Sequence, residues 1–137
     1  MNYMGRTAAV FAGVLAVAAW SAALSARTTQ AASTNDGVYT AAQAATGKEV
    51  YAQLCESCHQ PSKFSGTEFN RAYGEKPLSE IDAALSGMPM DNPGSLKREE
   101  VAQLIAFFLS MNKYPAGQKE LSGEADALKA IMVAPAK

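Results

Sequence analysis

Histidine and cysteine are scarce in this sequence of 137 residues: His59 is the only histidine, and Cys55 and Cys58 are the only cysteines. A zinc site needs about four nitrogen or sulfur ligands, so this chain could build one only with carboxylates or with a second chain. A single histidine also excludes a metal centre held by two histidines of one chain. Metal chemistry based on these side chains is therefore confined to one short segment.

The sequence also lacks patterns typical of β-strands and an excess of charge of one sign. The 12 Lys and Arg residues nearly balance the 13 Asp and Glu residues, and the formal net charge is −1. This balance gives no sign of a nucleic-acid partner. No run of alternating β-branched residues supplies the βαβ context of a thioredoxin-like cysteine pair. No nucleophile, pair of general bases or phosphate loop stands out, so an enzyme that works with its own side chains is disfavoured.

The sequence does contain the segment Cys55-Glu56-Ser57-Cys58-His59. The order C-x-x-C-H marks covalent attachment of a c-type haem. Two thiols one helical turn apart can each add across one haem vinyl group, and the next residue directs an imidazole at the iron. We therefore predict one covalent haem c on Cys55 and Cys58, with His59 as an iron ligand. A structural disulfide would explain the cysteines but not the histidine.

The second iron ligand must come from a residue other than histidine. A methionine thioether binds haem iron and raises its reduction potential relative to harder ligands. Of the six methionines, two lie in the amino-terminal segment and two fall on helical stripes, where methionine is more often part of the core. These four are Met1, Met4, Met111 and Met132. Met88 and Met90 remain, both in a loop held by prolines, and the residue pattern leaves both open.

The amino-terminal part of the chain has a composition of its own. Arg6 precedes an apolar, alanine-rich run from Ala8 to Leu24, which is the layout of a secretory signal peptide. Small residues allow cleavage at one of three places, after Ala23, Ala26 or Ala31. Because the run reaches the roughly 17 residues needed to span a bilayer, a retained membrane tether through residues 1–26 stays open. We expect residues 1–31 to be a signal peptide or membrane anchor, and the protein to act in the periplasm.

The rest of the chain predicts an all-α domain over residues 41–137, preceded by a flexible linker over 32–40 that is rich in small polar residues. Apolar periodicity predicts helices at four places: 47–55, 79–87, 98–112 and within 122–133. Thr46 is expected to cap the first helix. Ser79 and Asp82 are expected to form a capping box for the second, which Gly87 would end. Three intervening aromatic residues are expected to line a pocket or the core, namely Phe64, Phe69 and Tyr73.

These motifs, in this order, resemble those of class I monohaem cytochromes c. The likeness is carried by Gly47-x-x-x-Tyr51, Cys55-x-x-Cys58-His59, Met88-Pro89 and the final helix with Ala106-Phe107-Phe108-Leu109. Two further elements are similar to those of the small cytochrome c modules associated with quinoprotein alcohol dehydrogenases. They are Met88-Pro89-x-x-Asn92-Pro93-Gly94-Ser95-Leu96 and Asn112-x-x-Pro115-Ala116-Gly117 with Glu120-Leu121.

The resemblance implies a small all-α fold whose helices pack around the haem. In such a fold the first and last long helices cross at Gly47, and Tyr51 packs against Phe107. The family position also selects Met88, directly before a proline, as the second iron ligand. One departure is Lys97, which stands where the family usually has a capping Ser, Thr or Asp. Its presence should forfeit a cap of about 1 kcal/mol unless Ser95 starts the helix earlier.

With both axial positions filled, the iron has no open site for substrate. The expected function is therefore that of a periplasmic electron carrier and not of an enzyme. The expected donor is a periplasmic dehydrogenase, with a quinoprotein as the specific candidate, and the expected acceptor is a cytochrome or terminal oxidase. Two alternatives stay open: a haem subunit of a dehydrogenase complex, and an open-site haem sensor or peroxidase-like enzyme if Met88 does not bind iron.

Overall fold

The computed structural model of the protein describes residues 32–135. The apolar amino-terminal run and its three cleavage sites lie outside the described residues. The α-helices are α1 (Ala41–Leu54), α2 (Gly66–Tyr73), α3 (Ser79–Leu85), α4 (Arg98–Met111) and α5 (Ala125–Lys129), with 3-10 helices at Thr34–Asp36 and Pro61–Phe64. Two short strands, β1 (Ala32–Ser33) and β2 (Ile131–Met132), pair in parallel. Within this range no helix is long and apolar enough to cross a membrane.

The all-α prediction is confirmed, but helix α1 begins at Ala41 and not at Gly47. Thr40 is the capping residue: its hydroxyl accepts from Gln43 N–H at 3.2 Å, and the Gln43 side chain accepts from Thr40 N–H at 3.3 Å. This reciprocal pair is a capping box. Thr46, the predicted cap, lies inside the helix. The early turns are rich in alanine, so they lack the apolar periodicity that marked the later ones.

Helices α1 and α4 form the most extensive contact between elements of the described fold. They approach at Gly47, where an added Cβ would stand 1.9 Å from the backbone oxygen of Gln103. One turn later the ring of Tyr51 lies 5.4 Å from that of Phe107. The predicted crossing is therefore confirmed. It fixes the carboxyl end of α1, from which the C-x-x-C-H segment continues.

The expectation of a flexible linker over residues 32–40 is wrong. Thr34 is fully buried and its hydroxyl accepts from Ala134 N–H at 2.9 Å. Tyr39 is also buried, and its hydroxyl donates to the Tyr114 carbonyl at 2.6 Å. Small polar residues are typical of linkers, but in this segment the hydrogen-bond partners of Thr34 and Tyr39 lie far along the chain. The segment is thereby fastened to the domain, which begins before Ala41.

The ends of the smaller helices differ from the predictions. Helix α3 begins at Ser79 without a side-chain cap. Asp82, the predicted capping partner, instead accepts two hydrogen bonds from the Arg98 guanidinium, at 2.8 and 3.0 Å. The helix ends at Leu85, and Gly87 lies beyond it without a left-handed conformation. The Asp82 carboxylate pairs with Arg98, which is distant in sequence, and does not form the predicted capping box with Ser79.

Two further elements were missed or misplaced. Helix α2 lies between the first two predicted helices, where no helix was predicted. The carboxyl-terminal helix α5 is only five residues long, and Met132 lies in strand β2, not on a helical stripe. Helix α4 begins at Arg98 as predicted. Although Lys97 offers no capping side chain, its N–H donates to the Glu100 carboxylate at 2.8 Å, which satisfies one group at the helix start.

Candidate haem site

The C-x-x-C-H segment forms two tight turns at the end of α1. The Tyr51 carbonyl accepts from Cys55 N–H at 2.8 Å and from Glu56 N–H at 3.0 Å. The Cys55 carbonyl then accepts from Cys58 N–H at 3.1 Å and from His59 N–H at 2.9 Å. These bonds extend the helix past its last regular turn. They bring two thiols and one imidazole to the same side of the chain.

A cavity of about 490 Å³ adjoins these residues. Cys55, Cys58 and His59 line it, and so do Met88 and Met90 from the loop after α3. All the candidate site residues predicted from the sequence therefore share one cavity. Its remaining wall is largely apolar and includes Leu54, Phe64, Ile81, Leu85, Leu96 and Phe108. Phe64 and Tyr73 line it as predicted, whereas Phe69 is fully buried in the core.

The residues around this cavity fit a covalently held haem. Both cysteines are free thiols, not joined in a disulfide, so each is available to form a thioether. Burial raises the pKa of the Cys55 thiol. Apolar walls suit a porphyrin. Among residues 32–135, no group of three His, Cys, Asp or Glu side chains is arranged to hold a metal ion without such a cofactor.

Met88 and Met90 differ in their exposure to solvent. Met88 is partly buried, whereas Met90 is 80% exposed. The Met88 N–H donates to the Leu85 carbonyl at 2.9 Å, which ties this residue to the end of α3. A thioether that ligates haem iron must be withdrawn from water into the cavity. The difference in burial therefore favours Met88 over Met90.

Tyr51 has a second role that the sequence did not reveal. Besides packing against Phe107, its hydroxyl donates to the backbone carbonyl of His59. Burial raises the pKa of Tyr51, so the hydroxyl remains a donor at physiological pH. A tyrosine at a buried position usually has a partner for its hydroxyl. That rule could have signalled the bond, although it could not have identified the acceptor.

Asn112 is another residue whose contribution only the structure shows. Its side-chain amide donates to the carbonyls of Phe64 and Phe108, at 2.9 and 2.8 Å. Its side-chain oxygen accepts from Gly66 N–H at 2.8 Å. Asn112 thus ties the end of α4 to the segment that carries Phe64, a wall of the cavity. Its position just after α4 suggested a helix end but gave no sign of these partners.

Comparison with protein families gives a match over part of the chain. Residues 42–108 match the family model described as Cytochrome C oxidase, cbb3-type, subunit III. The matched range runs from α1 into α4 and includes the C-x-x-C-H segment and Met88. This match supports a class I c-type cytochrome domain over the matched residues. A search of the curated proteins found no match, and neither did a search of the solved structures.

The cofactor prediction is confirmed at this level, because a cytochrome c domain carries covalently bound c-type haem with its iron. The match also supports a role in haem-based electron transfer and suggests an electron carrier. Cytochrome c domains are typically extracytoplasmic. The description of the matched model refers to an oxidase subunit and not to a quinoprotein, so the narrower resemblance stays a prediction.

We expect the haem of the cytochrome to stay with the polypeptide on a denaturing gel. Thioethers at the predicted attachment residues, Cys55 and Cys58, would be covalent and would survive loss of the fold. Haem staining of the wild type and of the double variant Cys55→Ser/Cys58→Ser measures this, and the double variant should lose the stained band. Haem that acid-acetone extracts from the intact wild type would contradict the attachment.

Proposed function

We propose that this cytochrome is a periplasmic carrier of single electrons whose iron is ligated by His59 and Met88. The observation that carries the proposal is the common cavity, which is lined by the C-x-x-C-H segment and by Met88 from a distant loop. A bound haem supplies an iron that alternates between its ferrous and ferric states. His59 and Met88 would keep both axial positions filled, and the apolar wall would limit access of water.

The composition of the cavity supports a carrier over a haem enzyme. Of its lining residues, Asp91 is the only aspartate or glutamate, and there is no lysine or arginine. A peroxidase-like reaction needs a group that moves protons beside an open iron position. The described cavity offers no paired acid and base for that purpose. The peroxidase-like alternative therefore receives no support from the site.

The periplasmic location rests on the sequence and on the nature of the domain. Arg6 and the apolar run from Ala8 to Leu24 support export, and cytochrome c domains are typically extracytoplasmic. Cell fractionation, with mass measurement of the amino terminus, would distinguish a cleaved protein from a tethered one. Recovery of the haem protein from the cytosol would contradict both forms.

The partners we propose are a periplasmic dehydrogenase as donor, with a quinoprotein as the specific candidate, and a cytochrome or terminal oxidase as acceptor. The donor is proposed from the similarity of the Met88–Leu96 and Asn112–Leu121 stretches to modules of quinoprotein systems. A terminal oxidase is supported by the matched model, whose description refers to an oxidase subunit. Leu54 and Met90, 41% and 80% exposed, lie at the cavity and offer an apolar contact for transient docking.

Stopped-flow mixing should show that reduced quinoprotein alcohol dehydrogenase reduces the oxidised cytochrome rapidly. The mixing is done at low ionic strength, where steering by charge is strongest. A periplasmic dehydrogenase without a quinone cofactor serves as the comparison donor. Fast reduction by that donor but none by any quinoprotein would retain the carrier role and refute the specific donor.

A further inference from the structure

Tyr51 contacts the haem-attachment segment at three points. Its backbone carbonyl accepts from the N–H groups of Cys55 and Glu56, at 2.8 and 3.0 Å. Its side-chain hydroxyl donates to the backbone carbonyl of His59. A single residue of α1 therefore holds the first and the last residue of the C-x-x-C-H segment.

The ring of Tyr51 is itself fixed by packing. Tyr51 is 2% exposed. Its ring centroid lies 6.0, 5.4 and 6.1 Å from the rings of Phe64, Phe107 and Phe108. Phe64 stacks on Phe108 at 4.7 Å and meets the His59 ring edge-on at 5.7 Å. Because these rings hold one another, the hydroxyl has a fixed direction towards the His59 carbonyl.

Packing alone does not require the hydroxyl at residue 51. A phenylalanine would fill the same space and would make the same ring contacts, without the cost of burying a polar group. The hydroxyl is directed at the one residue that the attachment motif supplies as an iron ligand. Groups that orient a metal ligand from outside the coordination sphere tune the metal.

We propose that Tyr51 is a positioning residue for the proximal iron ligand. Its hydroxyl fixes the backbone of His59 and thereby the direction from which the imidazole reaches the iron. This inference rests on the proposed ligation of the iron by His59. It assigns to Tyr51 an effect on the electronic state of the haem, in addition to its contribution to stability.

The chain offers a matched control in Tyr39. This residue is also 2% exposed, and its hydroxyl also donates to a backbone carbonyl, that of Tyr114, at 2.6 Å. Neither Tyr39 nor Tyr114 lines the haem cavity. Tyr39→Phe therefore removes a bond of the same type from a place remote from the iron ligands.

The experiment compares the wild type, Tyr51→Phe and Tyr39→Phe, all as haem-loaded protein. Unfolding midpoints, reduction potentials and the spread of haem methyl proton shifts in the oxidised form are measured. We expect both variants to lose stability, whereas only Tyr51→Phe shifts the potential and the methyl pattern. The inference is overturned if Tyr51→Phe keeps the wild-type potential and methyl pattern and loses only stability.

A second pair of variants keeps the test decisive if Tyr51→Phe does not accumulate. Residue 51 is replaced by para-aminophenylalanine, which retains a donor, or by para-methylphenylalanine, which has similar size and no donor. The amino variant should resemble the wild type, and the methyl variant should differ from it in potential and methyl shifts. Identical spectra and potentials for the two would overturn the inference. Spectra showing that His59 is not a ligand in the wild type would instead refute the proposed function.

Discussion

Replacing Met88 by alanine is expected to abolish the sulfur-to-iron charge-transfer band of the oxidised protein and to lower its reduction potential. A thioether favours ferrous iron, and water or a harder ligand in its place would favour ferric iron. The fall should be a substantial part of the roughly 0.8 V over which axial ligands tune haem iron. Visible and near-infrared spectra with a potentiometric titration measure both effects.

Met90→Ala is the matched control for this substitution. Met90 lies in the same loop and borders the same cavity, but most of its side chain is in water. The Met90 variant should therefore keep the charge-transfer band and a potential close to that of the wild type. Reduced Met88→Ala should bind carbon monoxide at neutral pH, whereas the reduced wild type should not. Loss of the band in Met90→Ala but not in Met88→Ala would transfer the ligand role to Met90.

Gly47→Ala is expected to destabilise the cytochrome by about 3 kcal/mol or more, at the upper end of the cost of overpacking a core. The new methyl group would stand 1.9 Å from the Gln103 backbone oxygen and 3.0 Å from the Cβ of Phe107. Neither neighbour can move unless α1 and α4 separate. The intrinsic gain of alanine over glycine in a helix, about 1 kcal/mol, is too small to offset this clash.

Thermal unfolding of the haem-loaded protein measures the effect, and Gly87→Ala is the control. Apart from Gly87 itself and its two chain neighbours, no residue has an atom within 4 Å of a Cβ built at Gly87, and its backbone is not left-handed. The control should unfold near the wild-type temperature, whereas Gly47→Ala should unfold more than about 10 °C lower. A wild-type midpoint for Gly47→Ala would show that the helices do not depend on this close approach.

The local sequence predicted features whose determinants lie within a few residues of one another. Spacing alone marked Cys55, Cys58 and His59 as a haem-attachment segment, because that chemistry requires the three groups in one short stretch. Apolar periodicity located α4 to within one residue of its observed end. Periodicity failed for α1, since a run of small alanines can form a helix without an apolar stripe, and its start was placed too late.

The choice between the two loop methionines marks the limit of local patterns. Met88 and Met90 have the same chemistry and lie two residues apart, so the residue pattern left both open. The family resemblance selected Met88, and the unequal burial of the two side chains in the folded loop favours the same residue. Asp82 shows the same limit. Its spacing from Ser79 fits a capping box, but the folded chain brings Arg98 close enough to take the carboxylate.

The sequence by itself determined the cofactor and the helical class and predicted the attachment residues, because these depend on residue identity and short spacing. The tertiary structure decided which distant groups meet. It fastened the segment from Thr34 to Tyr39 against the far end of the domain, and it directed the Tyr51 hydroxyl to the His59 carbonyl. A hydrogen bond needs its two atoms within about 3 Å. Whether residues far apart in the chain come that close is set by the packing of the whole fold.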